Sequence, residues 1–274
     1  MSIERTGPLF WTAIAHSAVA VGFAASLFLR QSPVMGLHPG LKPLKFAVSI
    51  AIFLATIDLV LPRLSMSEAV RTGFSWLFVV TMTTEMLPIG IQALRGTTSH
   101  FNRRSALDLA TWNAMVLAIV IATVGLVAIA VVASFRPMVE ANGERMDGLS
   151  ATAWRAGLWF LLLVPVSGFA MGSRLAHSVG GEDGGTGLPF LNWSVRHGDL
   201  RVAHFFALHA VQILPATAWI LRELDLRPCA RAVILVVATG AMGTFCVGTL
   251  AQAFAGKPFV RSGPRAGVSA DRVR

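Results

Sequence analysis

The chain has 274 residues, 54% of them hydrophobic and only 14% charged, with a mean hydropathy of +0.65 and a formal net charge of +9. Soluble domains carry about 25% charged residues, so the composition excludes an ordinary soluble protein. It also removes the nucleic-acid partner that such a basic soluble chain would suggest, and membrane lipids with anionic headgroups beside basic loops take its place.

Seven windows, 6–29, 46–62, 72–94, 109–135, 156–173, 202–221 and 232–256, contain two acids, Asp58 and Glu85, and no Lys or Arg. A helical span needs about 20 apolar residues, and windows this long do not resemble the roughly 10-residue alternating strands of a membrane barrel. The expectation is an all-α polytopic transmembrane helix bundle. Its spans fall near 8–29, 43–62, 73–94, 110–135, 155–173, 201–221 and 231–255, in one unit over 1–260 with a basic, disordered tail from Arg261. The first span has no basic n-region and carries Thr12, His16 and Ser17, so it reads as a retained helix rather than a signal peptide. Lys and Arg number 14 on the face holding 30–45, 95–104, 174–201 and the tail, against 9 opposite. Positive-inside bias then puts the C-terminus in the cytoplasm of a bacterial inner membrane.

The first span opens on Pro8, as helix starts allow, and carries His16 near mid-depth, where a hydrogen bond to a neighbouring helix is expected. His38-Pro39-Gly40 and Pro43 keep the next connection irregular. Lys42 and Lys45 then stand at the entrance to the second span, either snorkelling to the interface or forming a cationic rim for a headgroup or phosphate. In the third span Glu85 lies ten residues before Arg95, about 15 Å deep. A carboxyl there costs at least about 2.5 kcal/mol unless neutralised or paired, and His209 or Gln252 is the expected donor. Pro88 should kink this helix, and Gln92 falls on the Glu85 face.

The connection RGTTSHFNRRSALD gathers Arg95, Thr97, Ser99, His100, Asn102, Arg103 and Arg104. The fourth span, polar only at Asn113, and the fifth, with Pro165 and Gly168, read as scaffold. Cys229 and Cys246 have no evident disulfide partner and behave as small hydrophobes. Small residues at Gly240, Thr244 and Gly248 would let a neighbour approach the seventh span, and Gln252 continues that stripe.

The stretch 180–215, GGEDGGTGLPFLNWSVRHGDLRVAHFFALHAVQILP, passes from a glycine-rich polar loop into the sixth span. At about 100° per residue Arg201 sits about 60°, Gln212 about 80° and His209 about 140° from His204, an arc too polar to face lipid. His204 and His209 are five residues apart, whereas one helix presents two histidines to a zinc ion at a spacing of four. A metal would need a further ligand such as His100, Asp199 or Glu85 from another segment. His177 and Glu144 are expected on the surface.

The connections rich in His, Asn, Gly and Lys share one face. The expected site is a polar cavity beneath them. Its candidate acid/base groups are Glu85, His100, His204 and His209. Its candidate substrate-binding groups are Lys42, Lys45, Asn102, Asp199, Arg201, Gln212 and Gln252. The blocks HPGLKPLKF, QALRGTTSHFN, NWSVRHGDLRVAHFFALHAVQILP and QAFAGKPF, in that order, resemble those of a family of uncharacterised bacterial multi-span membrane proteins. The resemblance covers most of the chain, implies about seven spans and brings no activity. Ceramidase-like membrane hydrolases also have seven spans, but their closing pair is His-x3-His in the last one. Here the pair is His-x4-His in the sixth.

Three function classes follow. The first is a membrane-embedded enzyme, with or without a metal ion, acting on a lipid-like or anionic small molecule. The second is a transporter with Glu85 and His209 as a proton relay. The third, a b-haem carrier, fits poorly, because His16 and His209 lie at different depths. A structural or assembly role is the remaining alternative, and oligomeric state is not encoded in these patterns.

Overall fold

The computed structural model describes residues 7–140, 142–184 and 187–261; the tail expected beyond Arg261 lies outside the described residues. Among the described residues eight α-helices follow in order: α1 Pro8–Ser26, α2 Leu41–Val60, α3 Glu68–Leu94, α4 Ala106–Phe135, α5 Gly148–Phe160, α6 Leu163–Arg174, α7 Arg201–Glu223 and α8 Pro228–Phe254. They make seven segments long and apolar enough to cross a membrane, because α5 and α6 together form the fifth.

Local chemistry explains the boundaries. Pro8 and Pro228 occupy first-turn positions of α1 and α8, where the missing N–H costs nothing. The side chains of Ser67, Ser105 and Asp147 accept from first-turn N–H groups of α3, α4 and α5, satisfying donors that have no helical partner. The fifth segment is not a single helix. Pro165 has no N–H to offer the Leu161 carbonyl, and the Val164 N–H takes that carbonyl instead at 3.2 Å in a tighter turn. Pro88 has no comparable effect, and α3 runs unbroken through it.

In lipid, apolar surface gives helices little reason to associate, so small residues that allow close approach carry the packing. Buried alanines line the α1–α2 contact at Ala13, Ala20, Ala47 and Ala51. At the α5–α7 crossing, a Cβ on Gly157 would lie 2.7 Å from the Val211 Cα. A Cβ at Gly240 or Gly248 would meet no described residue within 4 Å, so at these two positions the stripe expected to draw a neighbour onto the last span is unpacked among the described residues. Polar links tie the two halves of the bundle: Arg155 Nε donates to the Ala133 carbonyl at 2.7 Å and Trp159 Nε1 to Ser134 Oγ at 2.9 Å. Cys246 is buried, Cys229 is exposed, and both are free thiols.

Candidate functional site

The connections of one face converge on the loop between α6 and α7. Within that loop β1 Ser178–Val179 pairs antiparallel with β2 Gly198–Asp199. Lys45 Nζ, at the start of α2, donates to the Leu191 carbonyl at 3.2 Å. Phe101 packs on His177 with ring centroids 5.1 Å apart, and Trp193 on Phe259 at 6.0 Å. Gly198 lies so close to the Ala253 carbonyl that a Cβ would overlap it. Only glycine fits at the point where this loop docks on the end of α8.

Beneath the loop stands Glu85, 3% exposed, and its Oε1 has no hydrogen-bond partner among the described residues. The expected donors are engaged elsewhere. His209 Nδ1 meets Gln212 Oε1 at 3.2 Å, and Gln252 Nε2 donates to the Pro258 carbonyl at 2.7 Å. The charge that acts on Glu85 is Lys42, within electrostatic reach but not in ion-pair contact among the described residues. Lys42 Nζ lies over the Phe46 ring at 5.8 Å. Lys45 and Arg201 act on Lys42 as like charges, so three cations from two spans converge on this one point.

Arg201 is held firmly. Asp199, 1% exposed, takes its Nε at 2.9 Å and its NH2 at 2.6 Å, and the same guanidinium donates to the Asn192 carbonyl. The planar fork suits this two-point contact. It leaves Arg201 positioned rather than free to swing.

His177, expected at the surface, belongs to the site instead. Its ring Nδ1 donates to Asp183 Oδ2 at 2.6 Å, and Asp183 also accepts from the backbone N–H groups of His177 and Ser178. Burial raises the Asp183 carboxyl, but these donors outweigh it and hold it well below the usual carboxylate range. Burial lowers the His177 ring, and Asp183 offsets this only in part, with Arg201 and Lys42 adding to the lowering. The ring is therefore neutral near pH 7, with Nδ1 protonated and Nε2 free to accept. The spacing His177-x5-Asp183 at the mouth of the glycine-rich stretch was the available signal. Glycine-rich loops return chain on chain, and here the return closes a histidine–carboxylate pair.

His100 sits in an aromatic box, 5.3 Å from Phe46 and 5.5 Å from Trp112, with Ser99 Oγ at 3.2 Å from its Nδ1. Burial, then Lys42 and His177, push it well below the ordinary histidine value. His204 Nδ1 lies 2.9 Å from Ser167 Oγ on α6, so this histidine ties α7 to the broken fifth segment. His177 acts on it electrostatically.

Other expected members stand apart. Gln212 Nε2 donates to Thr56 Oγ1 on α2 at 2.9 Å, so His209 and Gln212 form an interhelical tie deep in the bundle. Asn102 spans its own loop, donating to the Thr98 carbonyl at 2.9 Å and accepting from the Arg104 N–H. Gln92, on the Glu85 face by spacing, bonds Asp108 at 2.8 Å and accepts from Arg95, clamping α3 to α4. No three His, Cys, Asp or Glu side chains are placed to hold a metal ion among the described residues.

The geometry brings together Lys42, Lys45, Glu85, His100, Asp199 and Arg201 and adds His177 and Asp183. Comparison with protein-family models, curated proteins and solved structures finds no match to this chain. These side chains can attract an anion through Lys42, Lys45 and Arg201, and they can exchange a proton through Glu85 or His177 Nε2.

Proposed function

We propose that the chain is a membrane-embedded enzyme whose substrate is an anionic, lipid-like molecule. The observation that carries this reading is the buried Glu85 oxygen, which has no hydrogen-bond partner among the described residues and lies within electrostatic reach of Lys42. A buried polar atom left unsatisfied costs about 1–3 kcal/mol, a cost that a purely structural role does not repay. In this reading the anionic head enters beneath the loop face, Lys42 and Arg201 hold it, and Glu85 gives or takes a proton. The basic-residue count further suggests a bacterial inner membrane with this face towards the cytoplasm. The quoted sequence blocks would then mark the working parts of a related family.

A second reading, proton-coupled transport, draws support from the broken fifth segment. Discontinuous helices commonly border transport sites at mid-membrane. The test is binding of a prenyl monophosphate to the protein in nanodiscs, with turnover followed by mass spectrometry. Lys42→Gln should weaken binding about tenfold or more, and Glu85→Gln should abolish turnover while binding persists. Uptake into vesicles without chemical change would establish the carrier. Binding untouched by Lys42→Gln would remove both readings.

A further inference from the structure

Away from this site, α1 and α3 border a lipid-facing groove of about 360 Å³, lined by Trp11, His16 and Val19 on one side and Thr83 and Leu87 on the other. No charged side chain lines it. His16 is 6% exposed, and its bond is not the expected one to a neighbouring helix: Nδ1 meets the Thr12 carbonyl of its own helix at 2.8 Å. A carbonyl only accepts, so Nδ1 carries the proton, and in the neutral ring Nε2 is an acceptor. That atom has no partner among the described residues. Thr12 is already committed, its Oγ1 donating to the Pro8 carbonyl at 2.6 Å. Across the groove the Thr83 hydroxyl makes no hydrogen bond among the described residues.

By helix rise His16 is about 12 Å from the Pro8 end of α1 and about 15 Å from the Ser26 end. A charged or zwitterionic headgroup would have to leave the interface to reach it, at a large desolvation cost. An uncharged hydroxyl would not. We propose that this groove is a binding site for an uncharged lipid bearing a single hydroxyl group, which donates to His16 Nε2 and accepts from the Thr83 hydroxyl while its hydrocarbon body lies against Trp11, Val19 and Leu87. The volume falls in the range of ligand sites, about 300–1,000 Å³. Hydrocarbon alone would leave both polar atoms unsatisfied, and an O–H group satisfies both at once.

The experiment uses farnesol and farnesyl methyl ether with the intact protein in nanodiscs. Nitrogen NMR of labelled histidine is read together with native mass spectrometry. Farnesol should move the His16 Nε2 resonance and bind about tenfold tighter than the ether, which cannot donate. Thr83→Val should weaken farnesol binding several-fold, and His16→Phe should bring it to the level of the ether. Equal binding of alcohol and ether would overturn the proposal, leaving the groove as ordinary lipid contact. Farnesol binding that leaves the His16 resonance unmoved would overturn it too. If His16→Phe fails to fold, the wild-type resonance and Thr83→Val still decide.

Discussion

Replacing Glu85 by methionine should make the fold more stable. The side chain is 3% exposed among apolar neighbours on its own helix, Met82, Met86 and Ile89, all buried. Its Oε1 is unsatisfied, a state that costs about 1–3 kcal/mol, and methionine occupies nearly the same volume without that cost. Lys42 loses its compensating charge, which trims the gain, but its ammonium is half-buried and keeps some access to water. A net gain of about 1–2 kcal/mol corresponds to about 2–8 °C in a chain of this size. Thermal unfolding of the detergent-purified protein, followed by tryptophan fluorescence, measures it. Glu85→Gln, which adds an N–H₂ group in need of partners, should gain nothing. Unfolding of Glu85→Met several degrees below wild type would refute the reasoning, because the carboxyl would then be holding the bundle together.

Gly198→Ala should lose about 1–3 kcal/mol through overlap with the Ala253 carbonyl, whereas Gly248→Ala, which meets nothing within 4 Å, should be neutral or slightly stabilising; the same unfolding assay compares them. Asp199→Asn should cost about 1.5–3 kcal/mol by weakening the charged hydrogen bonds to Arg201, and limited proteolysis should then cut within 187–197. His100 and His177 both sit below their ordinary value of 6.5 in the folded protein. The unfolded chain therefore binds more protons as pH falls through 6.5, so the loop face is at full strength above that pH and weakens below it. Asp183 has the same sign at lower pH, from its ordinary 3.8 downwards. Hydrogen exchange at the His177 and Ser178 amides should show easier opening at pH 5 than at pH 7.5, and His177→Phe should flatten the difference.

The sequence by itself determined the class and the membrane. Seven apolar windows are a property of composition along the chain, and hydrocarbon leaves a backbone of that kind little choice but helix. It also placed the polar connections on one face, since crossing parity follows from counting spans, and contacts such as Phe101–His177 and Trp193–Phe259 bear out that convergence. Glu85 stood out because an acid in an apolar run is costly wherever it points. Only the tertiary structure decided what each polar side chain faces. Spacing put His209, Gln212 and Gln92 on suitable arcs, yet His209 meets Gln212 on its own helix, and the two glutamines are taken by partners on other helices: Thr56 for Gln212, Asp108 for Gln92. His177 looked like a surface loop residue until the glycine-rich return brought Asp183 against it. The break between α5 and α6 required knowing which carbonyl would lose its donor to Pro165, whereas the same residue type left α3 unbroken at Pro88. Periodicity fixes direction around a helix axis, and pairing between helices depends on crossing and depth, which a one-dimensional pattern does not carry.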